Sequence, residues 1–499
     1  MRVVIGLFVA LEVAFIISTY RQWLRLRHIR GPPFAGLSTW LWAVAHSLSG
    51  QMPTQLQQVN NKYGSIARIG PNMLVTSDWK LWKHITHISS RYNKSEWFAG
   101  LRLSPTRDNV VSMIDKEEHA RLRDIMDRGY SKSMLNELES KIDDHINSLL
   151  NLIESSYQRP NLPFDFARTA MLFTLDAISD VTFSSPFGFL KSNSDCFRLM
   201  ETIEEQVPKI TVLTNFPRFY NILKRPLPSW LVPSPKDKAG MGAFMGVAEK
   251  VVAERYGPEQ KDIRDILGSF ITNGLTQEEA QSEILVQILA SSDSTATAIR
   301  AIVLLVATNP PVLRHLLKEI DDAVNTLCGS FISYKDTQNL EYLCAVVREG
   351  LRLWPPSTGL VPREVPPEGD EWNGVRLPGG ANIGWNIWGA LRDRDLWGHD
   401  ADEFRPGRWL EYNTEKLKEM QAMAELVFGN GNHVCLGRTL ALMTIHKTIF
   451  ELFDQFTFVV VNPDQPWESK GYGMFLQKNF WIRAYNRPPR PPRRQASEH

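Results

Sequence analysis

The distribution of apolar and polar positions divides this chain into unequal parts. From Val3 to Tyr20 the sequence is almost wholly apolar, broken by Glu12, and Arg21, Arg25, Arg27 and Arg30 follow it. About 18–20 apolar residues suffice to cross a bilayer, and the arginine-rich flank stays on the cytoplasmic side. The basic residues come after the apolar run and no small-residue cleavage site is evident. Residues 1–20 therefore read as an uncleaved, single-pass transmembrane anchor rather than a signal peptide. Gly31-Pro-Pro-Phe-Ala-Gly36 closes a basic, proline-rich hinge over 21–36, which the prolines predict to be stiff and extended. Residues 37–486 contain no linker, repeat or low-complexity tract and read as one large domain. The proline- and arginine-rich residues 487–499 read as a basic tail.

Inside the domain the periodicity is mainly helical. Apolar residues on either side of Gly70-Pro71-Asn72 predict a short hairpin between Tyr63 and Thr76. The stretch from Trp97 to Met113 reads as a loop, and strand signals are few until about residue 360. Thr276 and Glu279 form a capping-box pattern, and Asn309-Pro-Pro311 ends the run they open. A helix from Thr276 to Thr308 far exceeds the ~11–12 residues usual in globular proteins and predicts a passage through the core. A second helix is expected from Thr337 to Trp354, with Leu340, Leu343, Val347 and Leu351 as its apolar stripe and Pro355-Pro356 as its stop. Val375 to Trp388, broken by Pro378-Gly-Gly380, predicts a small sheet. The fold class is mainly α with small β-sheets.

Composition narrows the function. A formal net charge of +1 over 499 residues argues against a nucleic-acid partner, which calls for a basic surplus. Cys196, Cys328, Cys344 and Cys435 are widely spaced, with no C-x-x-C pair, which suits a reducing compartment.

The candidate chemistry lies in Phe428-Gly-Asn-Gly-Asn-His-Val-Cys-Leu-Gly-Arg438. Glycines let backbone N–H groups approach a sulfur closely, and a helix start just behind favours thiolate over thiol. A single thiolate suits haem iron better than zinc. A lone cysteine in such a loop is, on spacing alone, more often an idle thiol or a small buried side chain. Two further patterns carry charge. His119 and Arg123 stand four apart on a predicted helix, and Glu349 and Arg352 stand three apart; either is an ordinary surface pair on spacing alone. Ala290-Ser-Ser-Asp-Ser-Thr295 places poor helix formers in the middle of the long helix, and hydroxyls bonded back to i−4 carbonyls would account for them structurally.

Phe428, Gly431, His433, Cys435 and Gly437 match every fixed position of the loop F-x-x-G-x-[RH]-x-C-x-G, and the chain resembles the cytochrome P450 family. The other family motifs follow in order: H-x-x-x-R at His119 and Arg123, an acid–alcohol helix at 290–295, E-x-x-R at Glu349 and Arg352, and F-x-P-x-R-W at Phe404 to Trp409. The central helix is most like that of fungal members of secondary metabolism.

The resemblance implies a single haem-thiolate monooxygenase domain with haem b (iron protoporphyrin IX) on the Cys435 thiolate. It places His119, Arg123 and Arg363 at the propionates and Ala290 over the porphyrin. Asp293 and Ser294 become the acid–alcohol pair that delivers protons, with Thr295 the adjacent alcohol. Ser291 departs from the usual glycine, and Ser294 from the commoner threonine while keeping its hydroxyl. Glu349, Arg352 and Arg408 become a buried structural network. Implied partners are O2, an apolar small-molecule substrate, membrane lipid and an NADPH-dependent cytochrome P450 reductase, since no dinucleotide or flavin fingerprint is present. Arg121, Arg128 and Lys132 would offer a basic face to such a donor. The implied location is the endoplasmic reticulum membrane with the domain facing the cytosol. A thiolate-haem isomerase or dehydratase, and a haem-binding sensor without turnover, are the alternatives.

Overall fold

The computed structural model describes residues 17–104, 107–196, 198–216, 233–238, 240–257, 263–325, 331–411 and 414–488. The first sixteen residues of the expected anchor, Glu12 among them, lie outside these, as do Pro105, Cys328 and the tail from 489 onward.

Helix Gln277–Ala307 organises the molecule. Its start is the capping box read from the sequence, with Thr276 and Glu279 satisfying each other's backbone N–H groups. Most side chains from Glu279 to Val306 are buried, because four helices pack against it: Phe166–Phe183, Gly240–Tyr256, Glu341–Leu353 and Arg438–Gln455. It is long and apolar enough to cross a membrane, yet it lies mostly inside the protein as a core helix. The segment 290–295 stays helical. Ser292 and Ser294 donate to the carbonyls of Ile288 and Ala290, so the hydroxyls are accommodated by bonding back along the helix.

The expected helix from Thr337 to Trp354 divides in two. Tyr334–Thr337 forms one turn, and the main helix is Glu341–Leu353, with Leu340 outside it as N-cap. The first N–H groups of the main helix, Tyr342 and Leu343, donate to the Glu319 carboxylate at 2.8 Å each. Glu319 belongs to the neighbouring helix Pro310–Val324, so the start is set by a tertiary cap with no local signature.

The predicted hairpin pairs Ile66–Gly70 with Met73–Thr76. It joins a five-stranded sheet whose order continues through Asn382–Trp385, Arg363–Glu364 and Asn93–Lys94. Val375–Leu377 pairs instead with Asp370–Trp372, so the one sheet expected over 375–388 is two. In the larger sheet Lys94 stands directly opposite Arg363, a like-charge pair that the chain order keeps far apart.

The hinge is not extended. Ala35 and Leu37 donate backwards to Pro32 and Phe34, folding 32–37 into turns. Buried Arg68 fastens them, donating to the carbonyls of Gly36, Trp23, Gly70 and Pro71 at 2.7–3.2 Å. Arg68→Ala would strand several of these acceptors, each at about 1–3 kcal/mol where buried. The expected result is a lower melting temperature and faster tryptic cleavage at Arg27 and Arg30; unchanged cleavage with unchanged melting would show that the turns hold without it. The basic tail also begins later than expected. Arg487 binds Asp321 through both carboxylate oxygens at 3.0 Å and the Phe453 carbonyl at 3.1 Å.

Candidate functional site

Cys435 sits on a short loop ahead of helix Arg438–Gln455. Its backbone N–H donates to the Phe428 carbonyl at 2.7 Å, which closes the loop. Gly431 requires glycine: its φ is +57°, and an added Cβ would meet the Thr86 carbonyl oxygen at 2.2 Å. Gly437 does not need glycine for its own backbone, since the nearest atom to an added Cβ is on Tyr130 at 4.0 Å. It lines the cavity, so what its bareness spares is space for a ligand. The Cys435 sulfur lies deep in the protein but faces that cavity, and it is accessible from there. Burial pushes the thiol up, while the Gly437 N–H, Arg123 and Arg438 oppose this. A cation bound at the sulfur would complete the shift to thiolate.

The cavity above Cys435, about 340 Å³, has one strongly basic edge. Lys94, His119, Arg123, Arg363 and His433 line it, and no Asp or Glu appears among its described lining residues. The His119 and His433 rings are 4.8 Å apart. Burial, then the neighbouring cations, lowers His119 to about 3 and His433 further, so both are neutral with a ring N–H to offer. Neither ring has a hydrogen-bond partner among the described residues. Lys94, lowered to about 7 by burial and then by Arg363, spends its protons on the carbonyls of Val110, Val111 and Met113 at 2.9–3.1 Å. Arg123 donates to the Val434 carbonyl at 2.6 Å. The Arg363 Nε and the Trp385 indole N–H are buried with no partner. This concentrated positive charge, with no carboxylate in the described lining to balance it, fits a ligand that carries anionic groups on one edge.

The opposite wall is the central helix. Ala290, Ser291, Ser294 and Thr295 line the cavity, with Ser294 Oγ donating to the Ala290 carbonyl at 2.6 Å. Asp293 faces a second chamber of about 440 Å³ that shares Ala290, Ser294, Thr295 and Cys435 with the first. Burial raises Asp293 to about 6 against the pull of Arg300, whose guanidinium lies 3.6 Å away. One Asp293 oxygen, Oδ2, is buried without a partner. Phe428 lines the second chamber and stacks under Arg438, 5.6 Å from its ring.

Thus every residue expected at the site lines one of the two chambers or shapes the Cys435 loop. Three contributors were not foreseen: Lys94, Glu283 and Arg300. Glu283 accepts from the Val110 N–H at 2.8 Å and is pushed up to about 8 by burial, tying the segment 97–113 to the central helix. A charge in the interior of an apolar helix was the available signal for Glu283 and Arg300. Lys94 has no local signal, because only the strand pairing brings it to Arg363. Of the basic face expected from Arg121, Arg128 and Lys132, Arg121 is paired with Glu118 and Glu279, while Arg128, which binds Asp124 and Asn273, and Lys132 are exposed.

A family model described as Cytochrome P450 matches residues 32–480. The chain is 37% identical over 492 residues to the cytochrome P450 monooxygenase ABA1 of Pyricularia oryzae, covering 96% of each. It is 34% identical to the cytochrome P450 monooxygenase aba1 of Botryotinia fuckeliana, covering 92% of each. It is 28% identical to the cytochrome P450 monooxygenase cicH of Emericella nidulans, over 97% of this chain and 98% of that one.

Proposed function

The chain belongs to the cytochrome P450 family, and on that premise we propose that it inserts one atom of O2 into an apolar small molecule held over Cys435. The observation that carries this is the cavity between a loop cysteine and the Asp293–Thr295 turn, with anion-binding donors gathered on one edge. The family is haem-thiolate, with iron protoporphyrin IX on an axial cysteine, and the residues present fit that group. Cys435 supplies the thiolate, while Arg123, Arg363, His119 and His433 would hold the propionates. Ala290 and Gly437 leave room along the porphyrin, and Phe428 and Gly431 shape the loop. When bound, the iron porphyrin supplies reductive activation of O2.

The protein's own residues bind, orient and move protons. The second chamber excludes water with Phe98, Leu101, Val286, Leu289 and Ala298. Asp293 takes protons from the interior, and Ser294, held by the Ala290 carbonyl, presents its oxygen to the reacting face with Thr295 beside it. Arg300 keeps the Asp293 carboxylate ionised although it is buried. Electrons come from NADPH through a cytochrome P450 reductase, in secondary-metabolite biosynthesis. The anchor over 1–20 holds the protein in the endoplasmic reticulum membrane with the domain in the cytosol; exposed Ile17, Tyr20, Leu24, Phe34 and Leu37 at the start of the described chain support a lipid contact.

The reading is tested by the ferrous–CO difference spectrum and by reductase-dependent NADPH and O2 consumption. Asp293→Asn and Ser294→Ala should each divert O2 to peroxide and slow product formation by about a hundredfold, the low end of acid–base contributions. In wild type the coupled fraction should fall as pH drops through about 6, where the Asp293 carboxylate takes up a proton; Asp293→Asn should flatten that profile. Full coupling in both variants would remove the pair from proton delivery.

A further inference from the structure

The roof of the second chamber contains one polar side chain, Gln206, that bonds no other group among the described residues. Helix Leu199–Leu213 presents Leu199, Thr202, Ile203, Gln206, Val207 and Ile210 inward, spaced i, i+3, i+4, i+7 as a core-facing stripe. Glu201, Glu205 and Lys209 point outward. Gln206 therefore stands in the middle of an apolar face. The other roof hydroxyls and amides are occupied: Thr202 bonds Arg198, Thr211 bonds Val207, Thr214 and Asn215 bond Thr211. The Gln206 amide has no hydrogen-bond partner among the described residues. Gln206 is part-buried and lines the chamber, so its amide is open to a bond with a molecule held there.

The charge of the chamber restricts what that can be. Its described lining contains no Lys, Arg or His, and Asp293 is its one carboxylate. An anionic ligand would find no counter-ion there and would meet Asp293, while a cation would be drawn away from the roof toward that acid. A neutral hydroxyl or carbonyl meets Gln206 at no such cost, because a primary amide both donates and accepts. The helix packs on Ala45–Ser49, the turn Glu96–Leu101 and helix Gly240–Tyr256, while Cys435 lines the same chamber from the loop ahead of helix Arg438–Gln455. A ligand anchored at Gln206 thus directs its apolar end toward Cys435.

We propose that Gln206 is the specificity-determining anchor of this site, selecting neutral, largely apolar molecules with one hydroxyl or carbonyl and exposing the end remote from it to oxidation. This rests on the monooxygenase reading above.

The experiment titrates the full-length, haem-loaded protein with dodecane, dodecan-1-ol and dodecanoate at pH 8. Binding is read by calorimetry, which needs no haem signal, and in parallel by the Soret spin-state shift. The expected result is a Kd for the alcohol about tenfold below that of the alkane, with dodecanoate no tighter than the alkane. Gln206→Leu, apolar on an apolar stripe, should keep the alkane Kd and the melting temperature while erasing the preference for the alcohol. Thr358→Val tests the rival anchor, since Thr358 also lines the chamber with an unpartnered hydroxyl; the preference should survive it. Equal affinity for alcohol and alkane in wild type, a preference that persists in Gln206→Leu or vanishes in Thr358→Val, or tightest binding of dodecanoate would overturn the assignment. Absence of a thiolate–CO band would count against the haem reading instead, and the calorimetric comparison would still decide this one.

Discussion

Cys435→Ala should abolish the strongly red-shifted thiolate–CO band of the dithionite-reduced protein, together with all reductase-dependent turnover. Cys435 is the one cysteine among the described lining residues of the cavity, so a neighbouring His119 or His433 could supply only an imidazole-type band in its place. The sulfur faces the cavity rather than a packed core, so its removal leaves no new void between side chains. The haem-free variant should therefore melt within about 0.5 kcal/mol of haem-free wild type, as surface-like substitutions do. That combination separates a ligand from a packing residue. A wild-type band of imidazole type, or a Cys435→Ala protein that keeps the thiolate band, would remove Cys435 from the metal.

Glu349→Ala should be the most damaging substitution outside the cavity. Glu349, Arg352 and Arg408 are fully buried. The Glu349 carboxylate accepts from Arg352 at 2.9 Å through both oxygens, from Arg408 at 2.8 Å, from the Arg405 N–H at 3.1 Å and from the Trp409 indole at 2.9 Å. The two guanidinium groups continue to the carbonyls of Leu391, Ala401, Trp397 and Asp400. They thereby fasten the segment 391–409 to helix Glu341–Leu353. Removing one member of a buried ion network costs about 3–5 kcal/mol, chiefly because the remaining charges lose their compensation. Against a total stability of about 5–15 kcal/mol, the variant should melt far below wild type and be recovered largely without haem. Arg348→Ala, at an exposed position on the same helix, is the control and should melt as wild type does. Equal melting of the Glu349 and Arg348 variants would deny the network its structural role.

Much of the site is legible in the amino-acid sequence. The Cys435 loop is local: its glycines, its histidine and the following helix all lie within a few residues, and backbone geometry at that range follows from residue type. The central helix is equally readable, because its capping box and terminal prolines are local signals and its length and largely apolar character report a passage through the core. Pairs at helical spacing, His119 with Arg123 and Glu349 with Arg352, visibly share a face. Whether that face is exposed or buried is not visible in the spacing. Spacing alone favours ordinary surface pairs, and only packing shows Glu349 and Arg352 to be fully enclosed.

The misjudged elements share one cause, which is that distant parts of the chain decided them. The helix expected from Thr337 begins at Glu341 because Glu319 caps it from another helix. The hinge folds into turns because Arg68 gathers its carbonyls. Lys94 reaches the basic edge because a two-residue strand pairs it with Arg363, far along the chain. Arg121 is paired because Glu279 comes within its reach from the central helix.

The sequence by itself determined the family, the Cys435 loop, the hydroxyl-rich segment 290–295 and the helix that holds it, since each depends on residues within one or two turns of one another. The tertiary structure alone decided which charges are buried, which donors converge on the cavity edge, and which polar group, Gln206, is left facing an apolar chamber. Burial and hydrogen-bond satisfaction are properties of the packed chain as a whole, and no local pattern encodes what will be packed opposite a given side chain.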